Sequence, residues 1–270
     1  MFTKLLAYEI RSRYRADARS FGAFIVTIAA ASGIVAAGLP GISGSTAVLA
    51  YALCALTPVA CAIAAMADYW KTLYGQRGYF TMSLPVSGTT IFWAKTTRMV
   101  IECLLALALA VGGIIAVASA AAWSDGISLA EYTAGPRSLV AGVPTSTVAI
   151  MIVVQVLVSL SWLVQGSAVM SIGAEGRFNH MGFGAPIIGF VLLYIVNQVL
   201  STVGTFFLPL SVTTDGHFST EIMWTSYLAT MGTEGQPNVI GIGSYVLVPL
   251  FALVMGLWAS RSIEIHTSLR

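Results

Sequence analysis

The chain has 270 residues, of which 57% are hydrophobic and only 9% are charged, with 13 Lys and Arg against 11 Asp and Glu. A water-soluble domain carries roughly 25% charged residues, so this chain has too few to cover a surface that faces water. The composition therefore excludes an ordinary soluble domain and predicts a protein whose side chains lie mostly in lipid.

Six apolar stretches are long enough to cross a bilayer as helices, which takes about 20 residues each. Membrane β-barrel strands are shorter, about 10 residues, and alternate in polarity, so we predict an all-α polytopic protein with one transmembrane domain over residues 1–270. The predicted spans are Phe21–Pro40, about Thr46–Ala67, about Met99–Trp123, about Thr145–Gly166, about Phe183–Phe207 and about Val239–Ser260.

The basic residues are divided very unequally between the two faces that these spans define. Only Arg137 lies on one face. The basic residues of the other face are Lys4, Arg11, Arg13, Arg15, Arg19, Lys71, Arg77, Lys95, Arg98, Arg177, Arg261 and Arg270. By the positive-inside rule this predicts a multi-pass protein of the cell membrane with both termini in the cytoplasm. The first apolar run is longer than that of a signal peptide, which favours a retained span over a cleaved leader.

The sequence shows no motif of an enzyme or of a cofactor site. It lacks the His and Cys spacings of a metal site and the Gly-x-x-x-x-Gly-Lys-Ser/Thr motif of an ATP-binding P-loop. The run Gly41–Gly44 has the Gly-x-Ser-Gly form of rhomboid proteases, but no predicted span contains the histidine that such a serine needs. We therefore predict a chain that is not an enzyme and binds no cofactor, metal or nucleic acid itself.

Residues 1–20 have the pattern of an interfacial amphipathic helix. One side of this helix is apolar, and the cations on the other side would lie near anionic lipid headgroups. Glu9 and Arg13 break the pattern, because they fall on the apolar side four residues apart. At that spacing they can pair with each other, or they can contact a cytoplasmic partner.

The segment Asp68–Arg98 is the longest predicted cytoplasmic loop. Pro85 disfavours helix at the residue before it, and Ser87 can cap a new helix that begins at Gly88 and continues into the third span. We therefore predict a short helix near Tyr74–Ser83, a bend, and a second helix that enters the membrane. A short exposed helix beside a membrane domain has the form of a docking element.

Three features together resemble the permease subunits of type-2, ABCG-like ABC exporters. These are the basic start KLLAYEIRSRYR, the loop sequence LPVSGTTIFWAKTTRMV, and the six-span plan with both ends inside. The family usually has a basic residue directly after Leu-Pro-Val-Ser, where this chain has Gly88. The resemblance also implies short re-entrant helices in the segment 211–238, with Ile222–Met231 as the candidate.

The resemblance implies that the loop carries a coupling helix that sits in the groove of a separate cytoplasmic P-loop ATPase, which would bind ATP and Mg. A second permease copy or a sister permease would complete the transport path, and the exported substrate would be amphipathic or hydrophobic, such as a peptide antibiotic, a drug or a lipid. The candidate coupling residues are Tyr74, Gln76, Arg77, Tyr79, Phe80, Ser83, Leu84 and Pro85, together with Glu9 and Arg13.

Few polar side chains lie at membrane depth. Glu102 follows Arg98 by four residues, so the two can form an interfacial ion pair or couple the loop to the third span. Four amides can either bridge helices or line a substrate path. These amides are Gln155, Gln165, Asn197 and Gln198. The alternative function is a stand-alone ion-coupled secondary transporter, which would need intramembrane charges such as Glu102.

Overall fold

A computed structural model describes residues 1–75, 78–83, 85–182, 184–231 and 235–265, without the side chains of residues 79, 80 and 179. Within these ranges six helices are long and apolar enough to cross a membrane. The prediction of a helical multi-pass membrane protein is confirmed at this level.

The described elements follow one another as long helices with short connections. The helices are α1 Phe2–Ala36, α2 Ser43–Leu73, α3 Gly78–Met82, α4 Gly88–Ser124, α5 Leu129–Tyr132, α6 Ala134–Ser138, α7 Thr145–Gly173, α8 Gly184–Phe207, α9 Met223–Thr230 and α10 Ser244–Ile265. A 3₁₀ helix spans Gly176–Met181, and the strands are β1 Ser211–Thr213, β2 Phe218–Ser219 and β3 Val239–Gly241.

Three helices are much longer than a bilayer crossing requires. Helices α1, α2 and α4 have 35, 31 and 37 residues, whereas about 20 residues cross the hydrocarbon core. Residues 2–20 are helical, but they run into the first span without a break instead of forming a separate element. No proline interrupts α1, and its first turns are rich in good helix formers, so the helix continues.

The chain divides into two compact units, of which the first contains residues Met1–Thr72 and Trp93–Leu139. Its apolar core joins α1, α2 and α4. The core residues are Phe24, Ile28, Ala50, Cys54, Ala110 and Val117. A Cβ atom at Gly113 would lie 2.7 Å from the Sγ atom of Cys54. The helices therefore approach closely at this position because glycine has no side chain, as is common between membrane helices.

The second unit contains residues Leu73–Phe92 and Val140–Arg270. Helices α7, α8 and α10 pack on one another in this unit. A Cβ atom at Gly189 of α8 would lie 2.6 Å from Cγ1 of Val169 on α7. Small residues thus set the helix separation here as well.

A small antiparallel sheet connects α8 to α10 in the second unit. Its strand order is β2-β1-β3, and Ser211 of β1 pairs with both Ser219 and Gly241. The predicted sixth span begins five residues too early, since Val239–Gly241 is a strand and α10 begins at Ser244. The β-branched Val239 and Ile240 favour a strand, and the glycines after them disfavour a helix.

Helix α9 lies within the range Ile222–Met231 in which a helix was predicted. Trp224 of α9 stacks on Tyr227 with ring centroids 6.0 Å apart, and it meets Phe206 of α8 edge to face at 6.1 Å. These ring contacts hold α9 against the end of α8.

Candidate functional site

The loop between α2 and α4 contains a short helix, as predicted. Helix α3 occupies only Gly78–Met82 of the predicted range Tyr74–Ser83. Tyr74 is half-buried, whereas Ser83 and Pro85 are exposed. Several positions predicted from the sequence lie outside the described residues, namely Gln76, Arg77, Leu84, Phe183 and Arg270, and so do the side chains of Tyr79 and Phe80.

The bend after α3 ends at a capped helix start. Helix α4 begins at Gly88, and the Oγ atom of Ser87 accepts a hydrogen bond from the backbone N–H of Thr90 at 3.3 Å. This is the N-cap that the sequence predicts. The cap fixes the direction in which the chain leaves the loop.

The start of α4 packs tightly against the end of α10. A Cβ atom at Gly88 would lie 2.9 Å from both the backbone N of Glu264 and Cγ2 of Ile263. The hydroxyl of Thr89 donates to the carboxylate of Glu264 at 3.5 Å. A large basic side chain has no room at position 88, which explains physically why glycine follows Leu-Pro-Val-Ser in this chain.

Seven charged side chains of α1, α2 and α4 form one ionic network in the first unit. Its members are Glu9, Arg13, Asp17, Asp68, Lys95, Arg98 and Glu102. Arg98 lies at its centre, where its side chain is 1% exposed and contacts Glu9, Asp68 and Glu102. The predicted pair of Arg98 with Glu102 is therefore present, as part of a larger group.

Distances within the network show which helices it joins. The Nζ atom of Lys95 lies 2.8 Å from Oε1 of Glu9 and thereby joins α4 to α1. Nη2 of Arg98 lies 3.0 Å from Oδ2 of Asp68 and joins α4 to α2. Nη1 of Arg13 lies 2.9 Å from Oδ1 of Asp68 and joins α1 to α2. Each pair of helices is thus linked by a charged hydrogen bond of normal length.

Pairing of Glu9 with Arg13, one of the two possibilities that the sequence left open, is not observed. Glu9 pairs with Lys95 and Arg98, and Arg13 pairs with Asp68 and Asp17. For Glu9, α4 supplies Lys95 and Arg98, whose side chains are 3% and 1% exposed, whereas that of Arg13 is 26% exposed. Glu9 is only 6% exposed, and its carboxylate lies among the cations of α4.

Asp17, Asp68 and Lys95 were not predicted from the sequence as members of this network. A signal was present, because Glu9, Arg13 and Asp17 repeat every four residues on one face of α1. Three charges on a face that is otherwise apolar predict partners on a neighbouring helix. The start of α4 supplies such a face at spacings of three and four, in Lys95, Arg98 and Glu102.

The second unit uses neutral amides instead of charges. Gln165 of α7 is completely buried, and its Nε2 donates to the carbonyl of Val248 on α10 at 3.1 Å. Asn197 of α8 donates through Nδ2 to Oε1 of Gln165 at 2.7 Å and to the carbonyl of Leu193 at 2.9 Å. These bonds join α7, α8 and α10, so the bridging role predicted for the two amides is observed.

The other two amides differ from each other. Oε1 of Gln155 on α7 accepts a hydrogen bond from the hydroxyl of Tyr245 on α10 at 3.0 Å. Gln198 is exposed on α8. Gln155 therefore also bridges helices, while Gln198 points away from the packed side of the unit.

An apolar cavity of about 440 Å³ lies among α7, α8, α10 and the 3₁₀ helix of the second unit. Its wall includes Val169, Leu192, Phe251, Met255 and Trp258. Pockets of this volume accommodate drug-sized ligands, for which the typical range is roughly 300–1,000 Å³. The cavity can hold an apolar group.

Comparisons with protein-family models, curated proteins and solved structures give no significant match to this chain. Among the described residues, no three His, Cys, Asp or Glu side chains are grouped so that they could hold a metal ion. Function must therefore be inferred from the loop, the ionic network and the cavities.

Proposed function

We propose that the chain is the permease subunit of an ATP-binding-cassette exporter that moves an amphipathic or hydrophobic substrate out of the cytoplasm. A separate cytoplasmic P-loop ATPase would bind ATP and Mg and hydrolyse the ATP, while this chain would have no catalytic role. The observation that carries the proposal is the short helix α3, placed between two long helices on the face that the basic residues predict to be cytoplasmic.

The links at the ends of this loop support a role in coupling. The chain after α3 enters α4, whose start is capped by Ser87 and packed on α10. Farther along α4, Arg98 bonds to Asp68 near the end of α2. A displacement of the loop would therefore move helices α2 and α4 and not simply bend a flexible linker.

In this mechanism the ATPase binds at Tyr74–Ser87, and the ionic network stiffens the segment that it pushes. Closure of two ATPases would rock two permeases, identical or sister chains, and switch access to a path between them. The apolar cavity of the second unit supports a substrate with an apolar part. Charged contacts of Glu9 with α4 make the first turns of α1 part of the moving segment.

The test is affinity purification of the tagged chain from its native host in mild detergent, with mass spectrometry of what accompanies it. We expect a stoichiometric P-loop ATPase, which a same-length Gly/Ser replacement of Phe80–Leu84 removes. The matched control is the same replacement at Asp125–Leu129, a loop predicted to lie on the opposite face, which should leave the ATPase bound. A monodisperse chain without an ATPase at any detergent strength would refute the proposal.

One observation favours a second candidate, a stand-alone ion-coupled transporter. Glu102 lies in a largely buried charge network of α4, and buried ionisable groups at membrane depth often serve ion coupling. Under this alternative, Glu102→Gln would abolish transport driven by a proton or sodium gradient while the protein still assembled. Under the first proposal, transport would depend on ATP and the partner ATPase.

A further inference from the structure

A cavity of about 420 Å³ in the first unit opens beside the ionic network, between α1, α2 and α4. At one end its wall is formed by three charged side chains, Arg13, Asp17 and Glu102. Most of the remaining wall is apolar or small. These residues include Phe21, Phe24, Leu53, Ala60 and Ala64. The cavity thus has a charged end and an apolar body.

The network beside this cavity contains one more negative group than positive groups. Its acidic members are Glu9, Asp17, Asp68 and Glu102, and its basic members are Arg13, Lys95 and Arg98. The side chains of Glu9 and Glu102 are 8% and 9% exposed, whereas that of Asp17 is 22% exposed. An excess negative charge in a partly buried network is costly, so the network favours one further positive charge at its more open side.

The position of the unbalanced charge follows from how the cations are shared. Arg98 already contacts three carboxylates, and the Nε atom of Arg13 lies 3.6 Å from Oδ1 of Asp17, longer than a hydrogen bond. Asp17 and Glu102 both line the cavity. Glu102 is paired with Arg98, so Asp17 is the carboxylate with the weakest partner, and it lies at the charged end of the cavity.

We propose that this cavity binds an amphipathic organic monocation. Its positive group would lie at Asp17 and Glu102, and its apolar body would lie against Phe21, Phe24 and Leu53. The volume is within the range of roughly 300–1,000 Å³ for drug-sized ligands, and an aromatic ring face adds attraction for a weakly hydrated cation. Quaternary ammonium and phosphonium ions with apolar substituents have this chemistry.

The apolar body of the cavity selects against a bare metal ion. A small inorganic cation needs a shell of several oxygen ligands, and here the two carboxylates lie at one end of a much larger space. An organic cation with delocalised or shielded charge can both fill the volume of the cavity and neutralise the excess negative charge of the network. As a cargo site the cavity rests on the proposed export function, but binding requires this chain alone.

The test is equilibrium binding of labelled tetraphenylphosphonium to the full-length protein in phosphatidylcholine nanodiscs, without any ATPase. We expect saturable binding that dodecyltrimethylammonium displaces and that tetraphenylborate, of the same shape and opposite charge, does not. Asp17→Asn and Glu102→Gln should each weaken binding by about tenfold or more, because each removes one unit charge from a site of low polarity. Ala60→Phe, which fills the cavity without changing a charge, should also weaken it.

Glu131→Gln is the matched control, because Glu131 belongs to α5 and not to the network, and we expect it to bind like the wild type. Equal binding of tetraphenylphosphonium and tetraphenylborate would overturn the proposal. So would unchanged affinity in Asp17→Asn and Ala60→Phe, or displacement of the probe by millimolar sodium, which would assign the site to an inorganic ion. Binding without any copurifying ATPase would refute only the exporter function, and an ATPase without cation binding would refute only this site.

Discussion

The two units of this protein hold their helices together with different polar chemistry. The first unit joins α1, α2 and α4 through a buried network of charges around Arg98. The second joins α7, α8 and α10 through Gln165, Asn197 and close contacts at glycines. Neutral amides can satisfy one another in lipid at little cost, whereas charges must be matched and remain sensitive to any added ion.

This difference predicts that the two units respond differently to substitution. A charged network can respond to a bound cation or to a movement that separates its members, because the energies involved are large. An amide network with tight glycine contacts is a fixed support. We therefore expect removal of one polar side chain to destabilise the first unit more than the second.

The largest loss of folding stability is expected for Arg98→Met in the first unit. The substitution leaves three carboxylates without their shared cation in a buried place, and removing one partner of a buried pair costs about 3–5 kcal/mol. Thermal unfolding of the detergent-solubilised protein, followed by size-exclusion chromatography, should show a large loss of the folded fraction. Arg137→Met, at an exposed position, is the control, and equal behaviour of the two variants would contradict a central role for Arg98.

The second largest loss of folding stability is expected for Gly241→Ala in the second unit. A Cβ atom there would lie 1.7 Å from the carbonyl oxygen of Thr205, which is backbone and cannot move aside alone. Overpacking typically costs about 1–3 kcal/mol and here should reach the upper part of that range. Gly184→Ala, where a Cβ would meet nothing within 4 Å, should leave the thermal midpoint near that of the wild type.

A smaller effect is expected for Gln165→Leu. The change removes the bond to Val248 and leaves Asn197 with one acceptor, Leu193. Interhelical hydrogen bonds in membranes contribute about 0.6–2 kcal/mol, well below the expected effect at Arg98. Gln198→Leu, on the exposed side of α8, should change the midpoint little. If Gln165→Leu destabilised the protein as much as Arg98→Met does, the two units would not differ in their dependence on polar contacts.

The smallest loss of folding stability is expected for Ser87→Ala. Loss of this N-cap should cost about 0.5–1 kcal/mol, since the cap is exposed to solvent. Hydrogen exchange should rise in the first turn of α4 with little change in the thermal midpoint. Ser87→Asp, which can still cap the helix, should restore protection. If Ser87→Ala lowered the global midpoint strongly, the cap would be a support of the whole fold instead of a local one.

Local patterns predicted much of the helical framework. The length of the apolar runs identified six spans, and the helices of the fourth and fifth spans, α7 and α8, begin within a residue of their predicted starts at Thr145 and Phe183. The bend at Pro85 and the cap at Ser87 followed from the preferences of single residues. Transfer of apolar side chains into lipid and capping of a helix end are local free energies, so the segment itself contains the information.

Contacts between segments that are distant in the sequence were less predictable. Pairing of Glu9 with Arg13 on one helix was one of two possibilities for these residues, yet each has a partner on α2 or α4. The strand Val239–Gly241 was read as the start of a span, because its apolar residues fit either structure. A charge or a short apolar run has several possible partners, and only the packing of distant segments selects one.

By itself, the sequence determined that this is a six-span helical membrane protein with its basic residues predicted on one face. The tertiary structure decided that Arg98 is the centre of a network that joins three helices, that Gly88 is required by the close approach of α10, and that Asp17 and Glu102 share a cavity. The difference between what the sequence determined and what the tertiary structure decided has a physical reason. Insertion and capping depend on the residues of one segment, whereas ion pairing and cavities depend on which surfaces meet.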